Sequence, residues 1–361
     1  MNETYKSFFK GMLEVYSPSG QEQAVAEYIV DFMRHAGFRQ AYVDEAGNAV
    51  GEIGAEAGQA TKTLVLLGHI DTVDGFIPVR VENDGDTIYG RGSVDAKGPM
   101  AAFVLAAAEL AKQGEILADK RIVIVGAVEE EAASSKGARY AQQQYQPDFC
   151  VIGEPSSWSH ITLGYKGRLL IDYSLTRDSK HTAADGPSVC EEAVDFWNAV
   201  KVYALSFNKT VNGENKKTFE TLQPSLRNFN SEANGFQEMV RLRVGLRLPL
   251  DFPLDEFKVK LTEWQGDASL DLHGQERAVR SDKNNALVRA FLSGIRAEGG
   301  QPGFKVKTGT SDMNVLGPAW GCPIVAYGPG DSSLDHTPNE HTSLQELERS
   351  VRVLTRVLAE I

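Results

Sequence analysis

Three continuous apolar runs, at residues 63–67, 121–128 and 149–152, are the feature that most constrains the fold. An apolar run without alternation is typical of a strand that is buried on both faces of a parallel sheet. Each run is followed by acidic or imidazole side chains and then by a pattern of helical period. Strand, polar cluster and helix therefore repeat three times, which predicts an α/β domain with a mostly parallel sheet flanked by helices.

The pattern changes after residue 166 and returns in the C-terminal part of the chain. The segment between reads strand, helix, strand, strand, helix, strand, which is the order of a small sheet with two helices on one face. We therefore predict that one domain is inserted in another. Residues 1–166 plus 279–361 form the first domain, which holds the polar clusters, and residues 167–278 form the inserted one.

The polar clusters are expected at the carboxyl ends of strands, where open α/β sheets place their chemistry. They comprise His69 and Asp71, then Asp95, then Glu129, Glu130 and Glu131, then Glu154 and finally His336. Oxygen and imidazole ligands without a nearby thiolate suit Zn²⁺ or a similar divalent ion in a catalytic site. The set predicts a two-metal hydrolytic site.

Each cluster also has an ordinary structural interpretation. Asp95 precedes a predicted helix, where Asp is a common N-cap. The three consecutive glutamates are compatible with a solvated acidic turn, but adjacent like charges after a buried strand are costly unless cations hold them. With cations present, one glutamate is expected to be a ligand and another the general base for water. His181, in a loop of small residues, is either structural or a donor to a developing oxyanion.

Charge and composition argue against several classes of protein. The net charge of −12 disfavours general nucleic-acid binding and binding to an anionic membrane surface. No stretch approaches about 18 apolar residues, and the N-terminus lacks a signal-peptide pattern, so we expect a cytoplasmic protein. Cys150, Cys190 and Cys322 have no CxxC spacing and are expected to be reduced, buried thiols.

These segments resemble the co-catalytic zinc aminoacylase/carboxypeptidase family, which includes acetylornithine deacetylase, succinyl-diaminopimelate desuccinylase and glutamate carboxypeptidase. The resemblance covers essentially the whole chain. It implies a zinc-exopeptidase-like catalytic domain with an inserted ferredoxin-like α+β dimerisation (lid) domain, two divalent metal ions (Zn²⁺ or Co²⁺) and a homodimer. The ligands that it implies are His69, Asp95 and Glu154 for one metal, and Asp95, Glu131 and His336 for the second.

The resemblance also implies roles for three residues that are not ligands. Glu130 corresponds to the general base, Asp71 to the carboxylate behind His69, and His181 to an oxyanion donor that reaches over from a partner subunit. A shifted register, with Glu129 as base and Glu130 as ligand, remains an alternative.

A binding position for the product's carboxylate completes the expected site. We place it near Arg247, Thr310 and Ser311, because arginine binds carboxylates bidentately.

Three segments, 130–139, 153–156 and 161–168, are similar to one subgroup, the hydrolases that release lysine or ornithine from an amino-group carrier protein. That similarity implies cleavage of the amide between the carrier's C-terminal Glu side chain and the α-amino group of the amino acid, in lysine or arginine biosynthesis. A surface for an acidic carrier is then expected in the inserted domain, from Lys201, Lys209, Lys216, Lys217 and Arg227.

Two other functions compete with this one. A small-molecule deacylase, acting on N-acetylornithine or succinyl-diaminopimelate, needs only a compact pocket. A non-catalytic scaffold would keep the fold without the chemistry, but it has no reason to keep costly clustered carboxylates.

Overall fold

We describe a computed structural model of the protein at residues 3–83, 85–113, 117–181, 185–211 and 218–361. The chain divides into two compact units. The first comprises Met1–Gly164, Arg280–Val306 and Ser311–Ile361, and the second comprises Tyr165–Val279 and Lys307–Thr310. Residues 307–310 belong to the second unit, where Lys166 N donates to Lys307 O at 3.2 Å. The predicted domain division, and the dimerisation or lid role of residues 167–278, stay predictions.

The described elements follow the predicted alternation closely. The helices are α1 (Glu3–Glu14), α2 (Gln23–His35), α3 (Lys97–Ala111), α4 (Lys136–Gln144), α5 (Val189–Val211), α6 (Leu254–Trp264), α7 (Ala286–Ala297), α8 (Met313–Trp320) and α9 (Leu344–Glu360). The strands are β1 (Gln40–Val43), β2 (Ala49–Gly54), β3 (Lys62–His69), β4 (Arg80–Glu82), β5 (Thr87–Tyr89), β6 (Lys120–Ala127), β7 (Phe149–Gly153), β8 (His160–Tyr165), β9 (Gly167–Asp178), β10 (Gln223–Ala233), β11 (Gln237–Leu248), β12 (Ser269–Glu276), β13 (Val279–Arg280), β14 (Gly303–Lys307), β15 (Ile324–Tyr327) and β16 (His341–Ser343). None of these helices is long and apolar enough to cross a membrane.

The sheet of the first unit is parallel at its centre and antiparallel towards its edges. Its strands lie in the order β1-β2-β6-β3-β7-β15-β8-β13, with β14 paired to β8. The neighbours β6, β3, β7 and β15 pair in parallel, whereas β1 with β2, β2 with β6, and β15 with β8 are antiparallel. The prediction of a mostly parallel sheet is therefore confirmed, and its four parallel strands are the ones that carry polar clusters or lie beside them.

Helix α3 occupies the middle of the first unit's core. Almost every residue of α3 is buried, and its alanines allow close packing against β3 and β6. A helix that is apolar on all sides needs such an environment. The amphipathic helices α1 and α9 pack on α3 and present their charged faces outward.

The second unit has the predicted ferredoxin-like fold. Its strands lie in the order β10-β11-β9-β12, and all three pairings are antiparallel. Along β9 the alternate residues Leu169, Ile171, Tyr173 and Leu175 are buried in the core shared with α5 and α6. Edge strand β10 is exposed along most of its length.

The structure has a small third sheet, in the order β16-β5-β4, that the sequence did not predict, and two of the three cysteines are less buried than predicted. The pairing of β16 with β5 brings the segment after residue 340 beside Tyr89. Of the thiols, Cys150 is buried as predicted, whereas Cys190 and Cys322 are only partly buried.

Candidate metal centre and active site

Three polar clusters converge because their strands are neighbours. His69 is the last residue of β3, the glutamate triplet begins two residues after β6 ends, and Glu154 directly follows β7. Since β6, β3 and β7 are adjacent and parallel, their carboxyl ends meet at one edge of the sheet. The predicted placement is confirmed for these clusters.

The placement at a strand end is wrong for Asp95 and His336. Asp95 lies in the turn region between β5 and α3, and β5 belongs to the small third sheet. His336 follows a short 3₁₀ helix, Ser332–Leu334, in the loop after β15. Asp95 is also not the N-cap of α3, because that position is Ala96. Loops, not strands, must therefore hold these two side chains in place.

Asp95 lies between two imidazoles. Its Oδ1 is 3.1 Å from His69 Nε2, and its Oδ2 is 3.1 Å from His336 Nε2. Glu131 Oε1 lies 2.9 Å from the same His336 nitrogen. Each oxygen of one carboxylate thus faces a different candidate ligand, which is the arrangement that a bridging ligand needs.

The side chains form two overlapping groups that suit cations. Ligand atoms of His69, Asp95 and Glu154 lie within 4.8 Å of one another, and so do those of Asp95, Glu131 and His336. Ligands about 2.0–2.2 Å from a zinc ion lie roughly 3–3.6 Å apart, so small adjustments suffice. The donor set of carboxylate oxygens and imidazole nitrogens fits Zn²⁺, and also other divalent ions of similar preference.

The electrostatics of the cluster call for positive charge. Hydrogen bonds that the His336 ring donates to the carboxylates of Asp95 and Glu131 raise the pKa of His336 to about 10. Burial raises the pKa of Glu130 well above its usual value, and Asp312, Glu154 and Glu131 add repulsion that His69 only partly offsets. A group of carboxylates that retains protons so strongly will also attract divalent cations in their place.

The three consecutive glutamates point in different directions, Glu130 and Glu131 towards this cluster and Glu129 away from it. Glu129 has a left-handed backbone (φ 58°) and points elsewhere: its carboxylate accepts from Ser134 Oγ at 2.7 Å and lies 3.6 Å from Lys136 Nζ. Glu130 lies within reach of His69 and Glu131, and Glu131 also reaches Asp95 and His336. The geometry therefore favours Glu130 and Glu131 over Glu129 as participants in the site.

Asp71 connects two of the clusters. Its Oδ1 lies 3.4 Å from His69 Nδ1 and accepts from Glu130 N at 3.0 Å. Its Oδ2 accepts from Glu131 N at 3.0 Å and from Ser19 Oγ at 2.6 Å. Burial alone would raise the pKa of Asp71, but these hydrogen bonds hold it below the usual value. Asp71 thus lies beside His69, whose Nδ1 is 3.0 Å from the main-chain oxygen of Asp71, and its carboxylate accepts the backbone N–H groups of both glutamates.

The residues expected to bind a carboxylate are positioned by their own contacts. Arg247 Nη1 donates to Thr310 Oγ1 at 3.1 Å within the second unit. Ser311 is buried in the first unit, where its Oγ accepts from Met313 N at 3.2 Å at the start of α8. His181 lies exposed beyond the end of β9.

A third group of possible ligands lies in the second unit. Asp172, Asp271 and His273 approach one another on neighbouring strands. Arg243 already pairs with both oxygens of Asp172, at 2.6 and 2.7 Å. This pairing supplies the positive charge that a metal would otherwise bring.

Sequence reasoning missed two buried charged residues beside the site. Glu340 and Arg91 form an ion pair at 2.8 Å, and Glu340 also accepts from the backbone N–H groups of Val94 and Asp95. The only available signals were an arginine between two glycines and a glutamate four residues after His336.

Comparison with known families decides the class of this chain. The model of Peptidase family M20/M25/M40 matches residues 65–360. The chain belongs to this family. A LysW-lysine hydrolase of Deinococcus radiodurans is 45% identical over 359 residues, which are 99% of this chain and 96% of that protein. A LysW-lysine/LysW-ornithine hydrolase of Sulfurisphaera tokodaii is 29% identical, over 95% of this chain and 91% of that protein.

Solved structures of M20 proteins share the fold over the full length. The metallo-carboxypeptidase Sso-CP2 of Sulfolobus solfataricus has a TM-score of 0.78 at 19% identity, covering 100% of this chain and 99% of that chain. The YXEP protein of Bacillus subtilis, described as a dinuclear metal binding peptidase, has a TM-score of 0.70 at 11% identity, covering 99% and 97%. These M20 structures identify the fold of this chain as that of M20 peptidases.

Proposed function

We propose that this protein is a metal-dependent amide hydrolase that releases lysine or ornithine from the C-terminal Glu of an amino-group carrier protein, in lysine or arginine biosynthesis. The single observation that carries the chemistry is the position of Asp95, whose two oxygens face His69 and His336 at 3.1 Å each. The choice of substrate rests on relatives named LysW-lysine hydrolases, one of them 45% identical over 99% of the chain.

Two divalent ions, Zn²⁺ or Co²⁺, are the proposed cofactors. His69, Asp95 and Glu154 hold one, and Asp95, Glu131 and His336 hold the other. When bound, such ions acidify water and polarise an amide carbonyl.

The chain's own residues perform the proton transfers. Glu130 takes a proton from the attacking water and hands it to the leaving amine, which departs as the free amino acid. Its partly buried position among carboxylates raises its pKa, as this double role requires. Asp71 keeps the imidazole of His69 oriented. His181, from a partner subunit, donates to the oxyanion.

The amino acid's carboxylate is proposed to bind at Arg247, with Thr310 and Ser311. The hydrogen bond from Arg247 to Thr310 fixes one side of the guanidinium and supports this role. A planar guanidinium gives bidentate contacts that a lysine does not provide.

The inserted sheet offers a basic face for an acidic carrier. On β11 the residues Arg241, Arg243 and Arg247 alternate with buried ones, so they share the face away from α5 and α6. Arg168 on β9 lies opposite Arg247 in the register of β9 and β11, and Arg227 lies over Gly245. Arg243 on this face is paired with Asp172, but the other arginines, on a chain with net charge −12, favour an acidic partner. Of the lysines predicted for docking, Lys201 and Lys209 lie on α5, whereas Lys216 and Lys217 lie outside the described residues.

A cytoplasmic homodimer through the second unit completes the proposal. Among the described strands, β10 pairs with β11 alone, and Leu226 and Phe229 on it are 42% and 37% exposed. Val202 and Leu205 on α5 are 65% and 61% exposed. An exposed edge strand with apolar side chains is suited to pairing with a second copy.

The test measures release of free lysine from purified, lysine-charged carrier protein, run beside N-acetyllysine and N-acetylornithine. We expect preference for the charged carrier, with activity abolished by a chelator and by Glu130→Gln. Equal or better turnover of the small acyl amino acids would replace the proposal by a general metallo-deacylase. Absence of hydrolysis and of metal binding would leave the scaffold alternative.

A further inference from the structure

One buried carboxylate contacts the loop of Asp95 on its backbone. Glu340 is 0% exposed, and its Oε1 accepts from the N–H of Val94 at 2.9 Å and of Asp95 at 3.1 Å. Glu340 lies four residues after His336 in the C-terminal loop. The two proposed ligands that do not come from strand ends are therefore joined through this side chain.

The second oxygen of Glu340 is held by a buried arginine. Arg91 Nη1 donates to Glu340 Oε2 at 2.8 Å, and the two side chains are 8% and 1% exposed. The same nitrogen donates to Thr337 O at 3.2 Å, next to His336, and Arg91 Nε donates to Gly75 O at 3.0 Å. Arg91 thereby ties together the segments that follow β3, β5 and β15.

These contacts exclude a direct role for Glu340 as ligand or base. Both of its oxygens already accept N–H donors, Oε1 from the backbone of Val94 and Asp95 and Oε2 from Arg91. A buried ion pair also contributes little net stability compared with apolar residues of the same volume, because desolvation offsets the attraction. What the pair does provide is a fixed geometry for two loops.

We propose that Glu340 and Arg91 are the positioning pair for the second metal position, the one formed by Asp95, Glu131 and His336. Glu340 fixes the backbone of Asp95, so that one carboxylate oxygen faces each imidazole. Arg91 fixes the chain beside His336. The first metal position depends less on this pair, because His69 and Glu154 are held by β3 and β7 themselves. This inference rests on the proposed two-metal function.

The test is metal binding by Glu340→Gln, in which the side chain keeps its shape but loses the charge that faces Arg91. Equilibrium dialysis against buffered free Zn²⁺ gives the number and affinity of sites, and the variants Glu154→Gln and Glu131→Gln, each of which changes a ligand of one position only, assign each affinity to its position. We expect binding at the second position to weaken roughly 10- to 100-fold. Binding at the first position, which shares Asp95 but also has His69 and Glu154 at strand ends, should weaken clearly less. Arg91→Lys keeps a positive charge for Glu340 but cannot reproduce all the contacts to Gly75 O, Thr337 O and Glu340, and it should weaken the same position.

Glu298→Gln is the matched control. Its carboxylate is also largely buried (10% exposed) and pairs with Arg352 and Arg356, but it contacts none of the proposed ligands. This control should bind both ions like wild type even if its thermal midpoint falls.

Three results separate the ideas. Wild-type affinity for both ions in Glu340→Gln would overturn the positioning role. Equal weakening of both sites, in proportion to a loss of folded protein, would overturn it as well. If the wild-type chain itself binds no divalent ion, the proposed function fails first. If Glu340→Gln does not fold, Arg91→Lys decides the question by the same comparison of the two sites.

Discussion

Replacing Asp71 by Asn should disable the site without removing any proposed ligand. The carboxylate receives one backbone N–H on each oxygen, from Glu130 on Oδ1 and from Glu131 on Oδ2. An Asn amide has only one acceptor oxygen. In either orientation its NH₂ group therefore faces an N–H donor, and the charge beside His69 is lost.

The magnitude follows from these contacts. Losing one charge-assisted hydrogen bond costs about 1.5–3 kcal/mol, which corresponds to roughly 10- to 150-fold if it is expressed fully in the transition state. Losing the carboxylate behind a metal-binding imidazole costs roughly another 10- to 100-fold. Together they predict a fall in kcat/KM of about 100- to 10,000-fold, carried mainly by kcat.

Steady-state hydrolysis of lysine-charged carrier protein and of N-acetyllysine measures the effect. Ser19→Ala is the control, because it removes only the 2.6 Å hydrogen bond to Asp71 and leaves both backbone contacts. We expect it to lose less than about tenfold, as for one ordinary hydrogen bond. Activity of Asp71→Asn within threefold of wild type, with full metal content, would refute the reasoning.

Three further outcomes are expected. Glu129→Gln should keep activity within about threefold, because the Glu129 carboxylate contacts Ser134 and Lys136, whereas Glu130→Gln should abolish activity. The reverse result in the same hydrolysis assay would make Glu129 the general base. Saturating Zn²⁺, at about 100 times its dissociation constant, should stabilise the folded chain by about 2.7 kcal/mol per site, and a thermal midpoint that ignores chelator would contradict the metal centre. Among the three thiols, Cys190 should react first with a disulfide reagent at pH 8. Burial raises the pKa of Cys322 to about 11 and also raises that of Cys150, so these two carry little reactive thiolate at pH 8. Equally fast labelling of Cys322, measured by mass spectrometry, would contradict this prediction.

Periodicity predicted the elements whose sequence pattern matches their surroundings. The helix predicted after Asp95 is α3, and the three apolar runs are the strands β3, β6 and β7. Elements were missed where tertiary contacts override local signals. Helix α8 contains Pro318, which interrupts a helical pattern, and the three-residue strand β16 exists because it pairs with β5.

The strand-end part of the site was predictable for the same reason. A parallel sheet places the residues after neighbouring strands at one edge, so His69, the triplet and Glu154 follow from the order of strands. The positions of Asp95 and His336 depend on a buried ion pair between residues 91 and 340, which are far apart in sequence. The sequence grouped these two residues with the other polar clusters, but it gave no sign of the ion pair that holds their loops.

The register of the glutamate triplet shows how a long-range contact decides a local question. A left-handed conformation at a residue other than glycine costs about 1–2 kcal/mol, so the sequence alone does not favour turning the chain at Glu129. The turn allows two N–H groups to donate to Asp71, and each hydrogen bond to a buried carboxylate contributes about 1.5–3 kcal/mol. Two such bonds outweigh the strained residue. The carboxylate of Asp71, 59 and 60 residues upstream of Glu130 and Glu131, therefore helps to determine that these two side chains, and not Glu129, lie among the proposed ligands.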